Sequence, residues 1–140
     1  GGFTQIVRGM PSNTGGTYDL DEVWKALSTQ STVFDGLWKL ESRETASSGC
    51  SAFVEMKLIG GGHFIYFQRY KYNGENMQYF AFGSIQIDES GMATESVMAS
   101  TFEGYPVNGH SVNIALNNAD HMTQTFIKDS VEVVQSYVRI

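Results

Sequence analysis

Cysteine and proline are scarce in this chain, and charge of either sign is low. One cysteine and two prolines occur in 140 residues, and charged residues make up 17%. Cys50 cannot form an internal disulfide, and its setting in the small polar stretch ASSGCS is typical of a surface thiol. A chain of this length nevertheless fits one domain, which can bury roughly two thirds of the surface of its unfolded state.

Several functional signatures are absent as well. No run of about 18 apolar residues occurs, so no helix is expected to span a membrane. The formal net charge of −6 argues against nucleic-acid binding, which requires clustered lysine and arginine. His63, His110 and His121 lack metal-ligand spacing, and no G-x-S-x-G motif occurs. The sequence therefore predicts no metal, no cofactor and no catalytic residue; a site gathering the three histidines is the metal alternative.

Aromatic residues and glycine, in contrast, are abundant. The chain has 9 Phe, 7 Tyr and 15 Gly, a composition that favours strands and a lined interior over a helical bundle. Residues 1–17 are polar and glycine-rich and are interpreted as an N-terminal segment or linker, in which FTQIV could add to a sheet edge. The opening Gly1-Gly2, without a methionine, suggests a processed or an engineered start; a removed signal peptide is consistent with it, although the sequence shows none.

The segment DLDEVWKALSTQ predicts a helix over about 19–29. Asp19 is a good N-cap, and Glu22 completes a pattern similar to a capping box. The apolar side chains of the segment fall at i, i+3, i+4 and i+7, on one helical face: Leu20, Val23, Trp24 and Leu27. We interpret this helix as the first element of a single domain spanning residues 18–140.

From Phe34 onward the hydrophobic period changes to two. The alternating runs fall near residues 36–44, 51–59, 63–72, 78–87, 92–100, 107–116, 121–128 and 131–140. Hairpin-length turns such as Asn73-Gly74 separate them, and no spacer is long enough for a parallel crossover. Because closure removes the two free edges of a meander, the sequence predicts an all-β fold, an eight-stranded antiparallel up-and-down barrel with one N-terminal helix.

Alternation also predicts which side chains face the interior. In the first strand these are Trp38, Leu40 and Ser42. In the second they are the even-numbered residues Ala52, Val54, Met56 and Leu58, because the opposite register would bury Glu55 and Lys57; in a later strand they are Val112, Ile114 and Leu116. The runs 63–72 and 78–87 are apolar on both faces, so their inward register stays open. Their outer face is expected to be covered by the helix, the N-terminal segment or a second subunit.

The two ends of the barrel sequence are expected to meet. The first and last strands pair in a closed barrel, which places Arg139 beside Trp38, and a guanidinium over an indole is favourable by roughly 0.5–2 kcal/mol. Gly36-Leu37-Trp38 resembles the G-x-W motif of lipocalins, and Arg139 resembles the arginine that packs across its tryptophan. Residues 34–140 are similar to bacterial lipocalin-like domains, which end in aromatic-x-Arg, here Tyr137-Val138-Arg139.

This resemblance implies a lipocalin-like barrel that binds a small hydrophobic or amphipathic molecule without enzymatic activity, in the periplasm or secreted. Two departures affect ligand transport more than the fold: no disulfide can tie the barrel, and the predicted helix precedes it. The expected ligand contacts are inward polar or aromatic side chains of the middle and closing strands: Tyr66 and Gln68, or Phe67 and Arg69, with Met56, Gln124, Gln135 and Tyr137. Gly36, Trp38 and Arg139 are assigned to barrel closure.

Two other functions compete with ligand binding. The same side chains could fill a solid core, and the barrel would then be a structural or oligomerisation module that presents its aromatic face to another subunit, as in a homodimer. A barrel isomerase or cyclase that acts on an apolar substrate ranks lowest, because it is suggested by fold-level analogy alone.

Overall fold

The computed structural model describes residues 1–26, 30–43, 50–102 and 110–140. All regular secondary structure in these ranges is β-strand. No helix within them is long and apolar enough to cross a membrane. The strands form two separate sheets, a two-stranded hairpin and a closed eight-stranded barrel.

The ten strands follow one another along the chain, and each barrel strand pairs with its neighbours in an antiparallel sense. The hairpin contains β1 (Gly2–Pro11) and β2 (Thr17–Lys25), and the barrel contains β3 (Gly36–Arg43), β4 (Cys50–Gly60), β5 (His63–Tyr72), β6 (Glu75–Ile87), β7 (Met92–Ser100), β8 (His110–Asn118), β9 (His121–Lys128) and β10 (Val131–Arg139). The barrel order is β10-β3-β4-β5-β6-β7-β8-β9. The predicted eight-stranded up-and-down barrel is thus confirmed.

The predicted helix over 19–29 is wrong for residues 19–25, which lie in β2, whereas residues 27–29 lie outside the described residues. The competing structure is a hairpin in which β1 supplies hydrogen-bond partners to the whole of β2. Phe3 pairs with Trp24, and Val7 pairs with Leu20. The expected N-cap Asp19 instead accepts a hydrogen bond from the Gly9 amide at 3.0 Å. We call this hairpin, residues 2–25, the arm.

Most of the predicted linker, residues 1–17, is β1 and the turn that follows it. The strong packing contacts of the arm are between its own two strands, and those of the barrel are between barrel strands. An isolated two-stranded hairpin is only marginally stable in water. The arm also leaves apolar side chains exposed, among them Phe3 and Trp24.

Turn chemistry explains the short barrel connections. Asn73 and Gly74 have φ values of 50° and 89°, and Asp129 and Ser130 have values of 51° and 63°. Positive φ at both central residues is the geometry of a type I′ turn, whose twist matches that of the flanking strands. In the turn before β7, the Asp88 carboxylate accepts hydrogen bonds from the amides of Ser90 at 2.9 Å and Met92 at 3.0 Å. These local signals set the strand register of the meander.

Trp38 closes one end of the barrel, which we call the basal end. Its side chain is completely buried, and its Nε1 donates a hydrogen bond to the Phe34 carbonyl at 2.8 Å. The Cζ atom of Arg139 lies 4.2 Å from the centre of the Trp38 ring, as the sequence predicts. The guanidinium also donates to the carbonyls of Ala119 at 2.9 Å and Val33 at 3.1 Å. Arg139 therefore ties the last strand to the segment that enters the first.

The predicted inward face is confirmed for two strands. Trp38 is buried and Leu40 packs against the core, and in β8 Val112 and Ile114 are buried while Leu116 packs against them. Ser42, at the far end of β3, is exposed. In β5 and β6 the register left open by the sequence is resolved: Phe64, Ala81 and Ile85 face the core.

The prediction for β4 is wrong. Its odd-numbered residues face the interior, so Glu55 and Lys57 are buried, while Ala52 and Leu58 are exposed. The rule that charges face outward fails here because the interior supplies partners for both charges. Glu55 finds partners on the neighbouring strand β5 and on β10, whereas the partners of Lys57 come from β7 and β9.

Candidate functional site

Hydrogen-bonded polar side chains occupy the middle of the barrel. Alternation along β4, β5, β7, β9 and β10 directs them inward, and all are at most 6% exposed: Glu55, Lys57, Gln68, Glu95, Gln124, Gln135 and Tyr137. We call this set the polar network. Two carboxylates and one ammonium give it a formal charge of −1. Burying such groups instead of hydrophobic residues seldom adds stability, so a network of this kind is a candidate for function.

Lys57 connects one half of the network. Its Nζ donates to the Glu95 carboxylate and, at 2.7 Å, to Gln124 Oε1. Nζ also lies 5.7 Å from the centre of the Phe64 ring, within the range of a cation–π interaction. Gln124 Nε2 then donates to Gln135 Oε1 at 3.1 Å, which extends the chain of hydrogen bonds across β9 to β10.

Glu55 is the centre of the other half. Its carboxylate accepts hydrogen bonds from Gln135 Nε2 at 3.1 Å, from Gln68 Nε2 at 3.4 Å and from the Tyr137 hydroxyl. The Tyr66 hydroxyl donates to the same carboxylate at 2.9 Å. All four donors are uncharged, so hydrogen bonds rather than a salt bridge solvate this buried group. Burial, followed by the charge of Glu55 and the hydrogen bond to it, raises the pKa of Tyr137 well above its usual value.

Aromatic rings lie beyond Glu55, toward the distal end of the barrel, where β3 ends at Arg43 and β5 ends at Tyr72. Successive rings are 4.4–6.0 Å apart between centroids, and the side chains are partly exposed: Phe53, Tyr66, Tyr70, Tyr79 and Phe102. We call them the distal rings. The closest pair, Tyr79 and Phe102, is stacked at 4.4 Å with 15° between the planes. Burial and a hydrogen bond with Tyr79 raise the pKa of Tyr70.

Arg43 lies at the edge of the distal rings. Its Cζ is 6.0 Å from the centre of the Phe53 ring. Its Nε is buried, and the described residues offer that atom no hydrogen-bond acceptor. A buried donor of this kind costs free energy unless it is satisfied. The distal end thus combines aromatic faces, a guanidinium and, below them, a carboxylate.

The structure brings together five of the eight predicted ligand residues. Tyr66 reaches Glu55 from among the distal rings, and the other four belong to the polar network: Gln68, Gln124, Gln135 and Tyr137. Arg69 and Phe67 lie on the outer face of β5, Arg69 exposed and Phe67 half-buried. Met56 is half-buried on the outer face of β4, so the prediction that it faces the interior is wrong.

Sequence reasoning missed three charged members of the site, Glu55, Lys57 and Glu95. One signal was present: Glu55 and Lys57 share their strand face with Phe53 and Ile59, and Ile59 is buried in the core. A second was that the run 63–72 is apolar on both faces, so one apolar face, with Ile65 and Phe67, had to point outward. Neither signal was strong enough to outweigh the expectation that charged side chains avoid burial.

His63 and His121 lie apart from this site, whereas Cys50 begins β4 at the distal end, opposite Tyr72. His63 Nδ1 is 2.9 Å from the Gly61 carbonyl at the basal end, and His121 Nδ1 is 3.1 Å from Asn118 Oδ1. The side chain of His110 is outside the described residues, and Cys50 is a free thiol. Among the side chains that the structure describes, no group of three His, Cys, Asp or Glu is arranged to hold a metal ion.

A separate depression of about 220 Å³ opens at the basal end. Its walls include Asp35, Ile59, Ile85 and Gln86. The buried charges and the distal rings do not contribute to it, so it is distinct from the polar network. We regard the distal rings and the network beneath them as the candidate functional site. No protein-family model matches this chain, and a search of curated proteins finds no matching relative.

Proposed function

We propose that this protein is a non-enzymatic binding protein that holds a small amphipathic molecule at the distal end of its barrel. The observation that carries the proposal is the direct contact between partly exposed rings and a buried carboxylate. The Tyr66 ring lies 6.0 Å from the Phe102 ring, and its hydroxyl donates to Glu55 at 2.9 Å. Small-molecule sites commonly combine apolar walls with a few fixed polar groups. The apolar part of the ligand would stack on Tyr79 and Phe102.

The polar groups favour an amphipathic ligand over a purely hydrophobic one. No described residue accepts a hydrogen bond from the buried Nε of Arg43, which calls for an acceptor near the rings, and the Glu55 carboxylate accepts from donors. The polar network already fills the middle of the barrel, which argues against deep insertion of a long chain. A planar or short molecule with a polar head group meets these conditions.

The proposal includes a relationship to bacterial lipocalin-like domains. The contact between Trp38 and Arg139 and the closed barrel support that relationship, because both accompany the G-x-W resemblance. With it we propose a location outside the bacterial cytoplasm, which immunoblotting of periplasmic and culture fractions would test. A signal confined to the cytoplasmic fraction would contradict it.

Fluorescence titration with 1-anilinonaphthalene-8-sulfonate tests the binding site directly. Tyr79 and Phe80 are neighbours on β6, but Tyr79 is one of the distal rings, whereas Phe80 is 53% exposed on the outer wall. We expect Tyr79→Ser to weaken probe binding about tenfold, since stacking contributes roughly 0.5–1.5 kcal/mol beyond area burial. Phe80→Ser is the matched control and should leave binding unchanged.

Two outcomes would contradict the proposal. If Phe80→Ser, rather than Tyr79→Ser, abolished probe binding, the dye would be bound by the outer wall. If the wild-type protein bound neither this probe nor short aromatic alcohols and amines that compete with it, the rings would be core packing alone. Native mass spectrometry of the purified protein would then show the bare chain mass.

A further inference from the structure

The outer wall of the barrel carries a continuous apolar surface. Leu37, Leu58, Ile65 and Phe82 are direct cross-strand partners in one row over β3 to β6. A second row two residues away runs through Met56, Phe67 and Phe80. We call these seven residues the outer apolar patch. Its first row is 37–53% exposed, so a substantial hydrophobic surface faces solvent.

The arm has a complementary face. Phe3 and Trp24 stack with ring centroids 6.0 Å apart, and Val7 and Leu20 pair on the same side of the hairpin. The opposite side carries Arg8, which forms ion pairs with Asp21 at 2.6 Å and Asp19 at 3.8 Å. Exposed Ile6 and Val23 lie beside these charges, whereas Phe3, Val7, Leu20 and Trp24 form the larger apolar face, with both rings of the arm.

We propose that this protein forms a symmetric dimer in which the arm of each copy packs its apolar face on the outer apolar patch of the other. The dimensions agree. Four residue steps along a strand, from Phe3 to Val7, span about 14 Å, and so do the three interstrand spacings from Leu37 to Phe82.

The buried area is sufficient for a stable dimer. Large side chains that are half exposed give the patch on the order of 500 Å², which is as large as the biggest apolar patch on a typical monomer. The symmetric arrangement makes this contact twice and covers both an arm and a patch each time. The arm face is smaller, on the order of 300 Å², because Val7 and Leu20 are half-buried. The total is therefore about 1,600 Å², the standard size for specific interfaces.

Charge also favours this pairing. Glu22 lies between the two apolar pairs of the arm, where it is half-buried opposite Gln5. Lys39 borders the patch beside Met56, and Arg69 follows Phe67 by two residues on the same face of β5. An acidic side chain at the centre of the arm thus meets a patch bordered by basic ones, which helps to select the register of the complex.

Sedimentation equilibrium over a dilution series tests the dimer with the full chain. Trp24→Glu removes the apolar face of the arm, and Phe82→Lys disrupts the patch. Both positions are more than 40% exposed, so each variant should fold, as far-ultraviolet circular dichroism would verify. Each change occurs twice in the dimer, so we expect the dissociation constant to rise on the order of 100-fold or more.

Two control variants change exposed apolar residues outside the proposed interface. Val23→Ser changes the opposite face of the arm, where the side chain is 78% exposed, and Ile127→Ser changes an exposed position on β9. Both should leave the dimer intact. A loss of dimer in these controls that equals the loss in the two test variants would overturn the proposed interface.

Mixing the two test variants gives the decisive result. A Phe82→Lys chain has an intact arm and a Trp24→Glu chain has an intact patch, so the mixture should recover a heterodimer that neither variant forms alone. Dimers made by pairing arm to arm would not be disrupted by Phe82→Lys and would show no such recovery. A wild-type protein that is monomeric at every concentration, with its arm folded on its own barrel, would also overturn the proposal.

Discussion

Lys57 and Glu95 form an ion pair inside the barrel, with both side chains 2% exposed. The two residues come from strands β4 and β7, which are not adjacent in the sheet. Their contact therefore crosses the interior rather than running along the wall. A buried pair of this kind is costly to break because the remaining charge is left without a partner.

Removal of Lys57 alone is expected to be strongly destabilising. Lys57→Met leaves the Glu95 carboxylate unpaired and should lower the free energy of unfolding by about 3–5 kcal/mol, whereas Lys57→Met with Glu95→Leu should recover most of the loss. Urea denaturation of the two variants measures the difference. Lys39→Met, at an exposed position on β3, is the control and should change stability by about 0.5 kcal/mol or less. Equal losses in the single and double variants would show that the pair is not coupled.

Gly36 is expected to tolerate no side chain. A Cβ there would lie 2.5 Å from Arg139 Nη1, and its φ of 149° is unfavourable for other residues. Gly36→Ala should lower the free energy of unfolding by about 1–3 kcal/mol and weaken the near-ultraviolet dichroism of Trp38. Gly60→Ala, where the new Cβ meets no atom within 4 Å, should be nearly neutral. Similar thermal unfolding of both variants would contradict the proposed role of Gly36 in closure.

Stability should fall at high pH because of Tyr137. Its pKa is raised well above 10 in the folded protein, so its contribution is complete below pH 10 and is lost as the pH rises toward the folded pKa. The loss is about 1.4 kcal/mol for each pH unit in that interval. Tyr137→Phe should have lower stability at neutral pH, because the hydrogen bond to Glu55 is absent, but a flatter decline above pH 10. Urea denaturation at pH 9, 10 and 11 measures both slopes; parallel curves would contradict the assignment.

Ser130→Gly is expected to stabilise the barrel. Ser130 has a φ of 63° in the turn between β9 and β10, a conformation that glycine adopts without strain. The gain should be about 0.5–1 kcal/mol, measured as a higher urea midpoint. Ser90→Gly is the control, because the Ser90 hydroxyl bonds to Asp88 at 2.6 Å and its removal should destabilise. A lower midpoint for Ser130→Gly would show that strain at this turn is relieved in another way.

Local patterns were sufficient to predict the barrel. Alternation of period two and the turn residues, such as Asn73-Gly74, depend on the chain within a few positions. Trp38 and Arg139 are far apart in sequence, yet strand order alone brings them together once closure is assumed.

The arm and the site depend on non-local partners. Leu20, Val23 and Trp24 fit a helical face, whereas in β2 only Leu20 and Trp24 share a side. The strand forms because β1 supplies its hydrogen-bond partners, and rules for helix prediction do not include such a partner. Glu55 and Lys57 were assigned to the surface because most of their partners, including the only charged one, Glu95, are 38 to 82 residues away. The cost of burying a charge is visible in the sequence, whereas the group that offsets this cost is not.

The same long separations have a consequence for how the chain reaches this fold. When β4 first pairs with β5, Lys57 has neither Glu95 nor Gln124 beside it, since those residues follow 38 and 67 positions later. The early β4–β5 hairpin is thus expected to hold two charged side chains that favour water, Lys57 without a partner and Glu55 with only Tyr66 and Gln68. Their insertion must wait for the last strands, so we expect barrel closure to be the slow kinetic step. The many contacts between distant parts of the chain also favour slow folding.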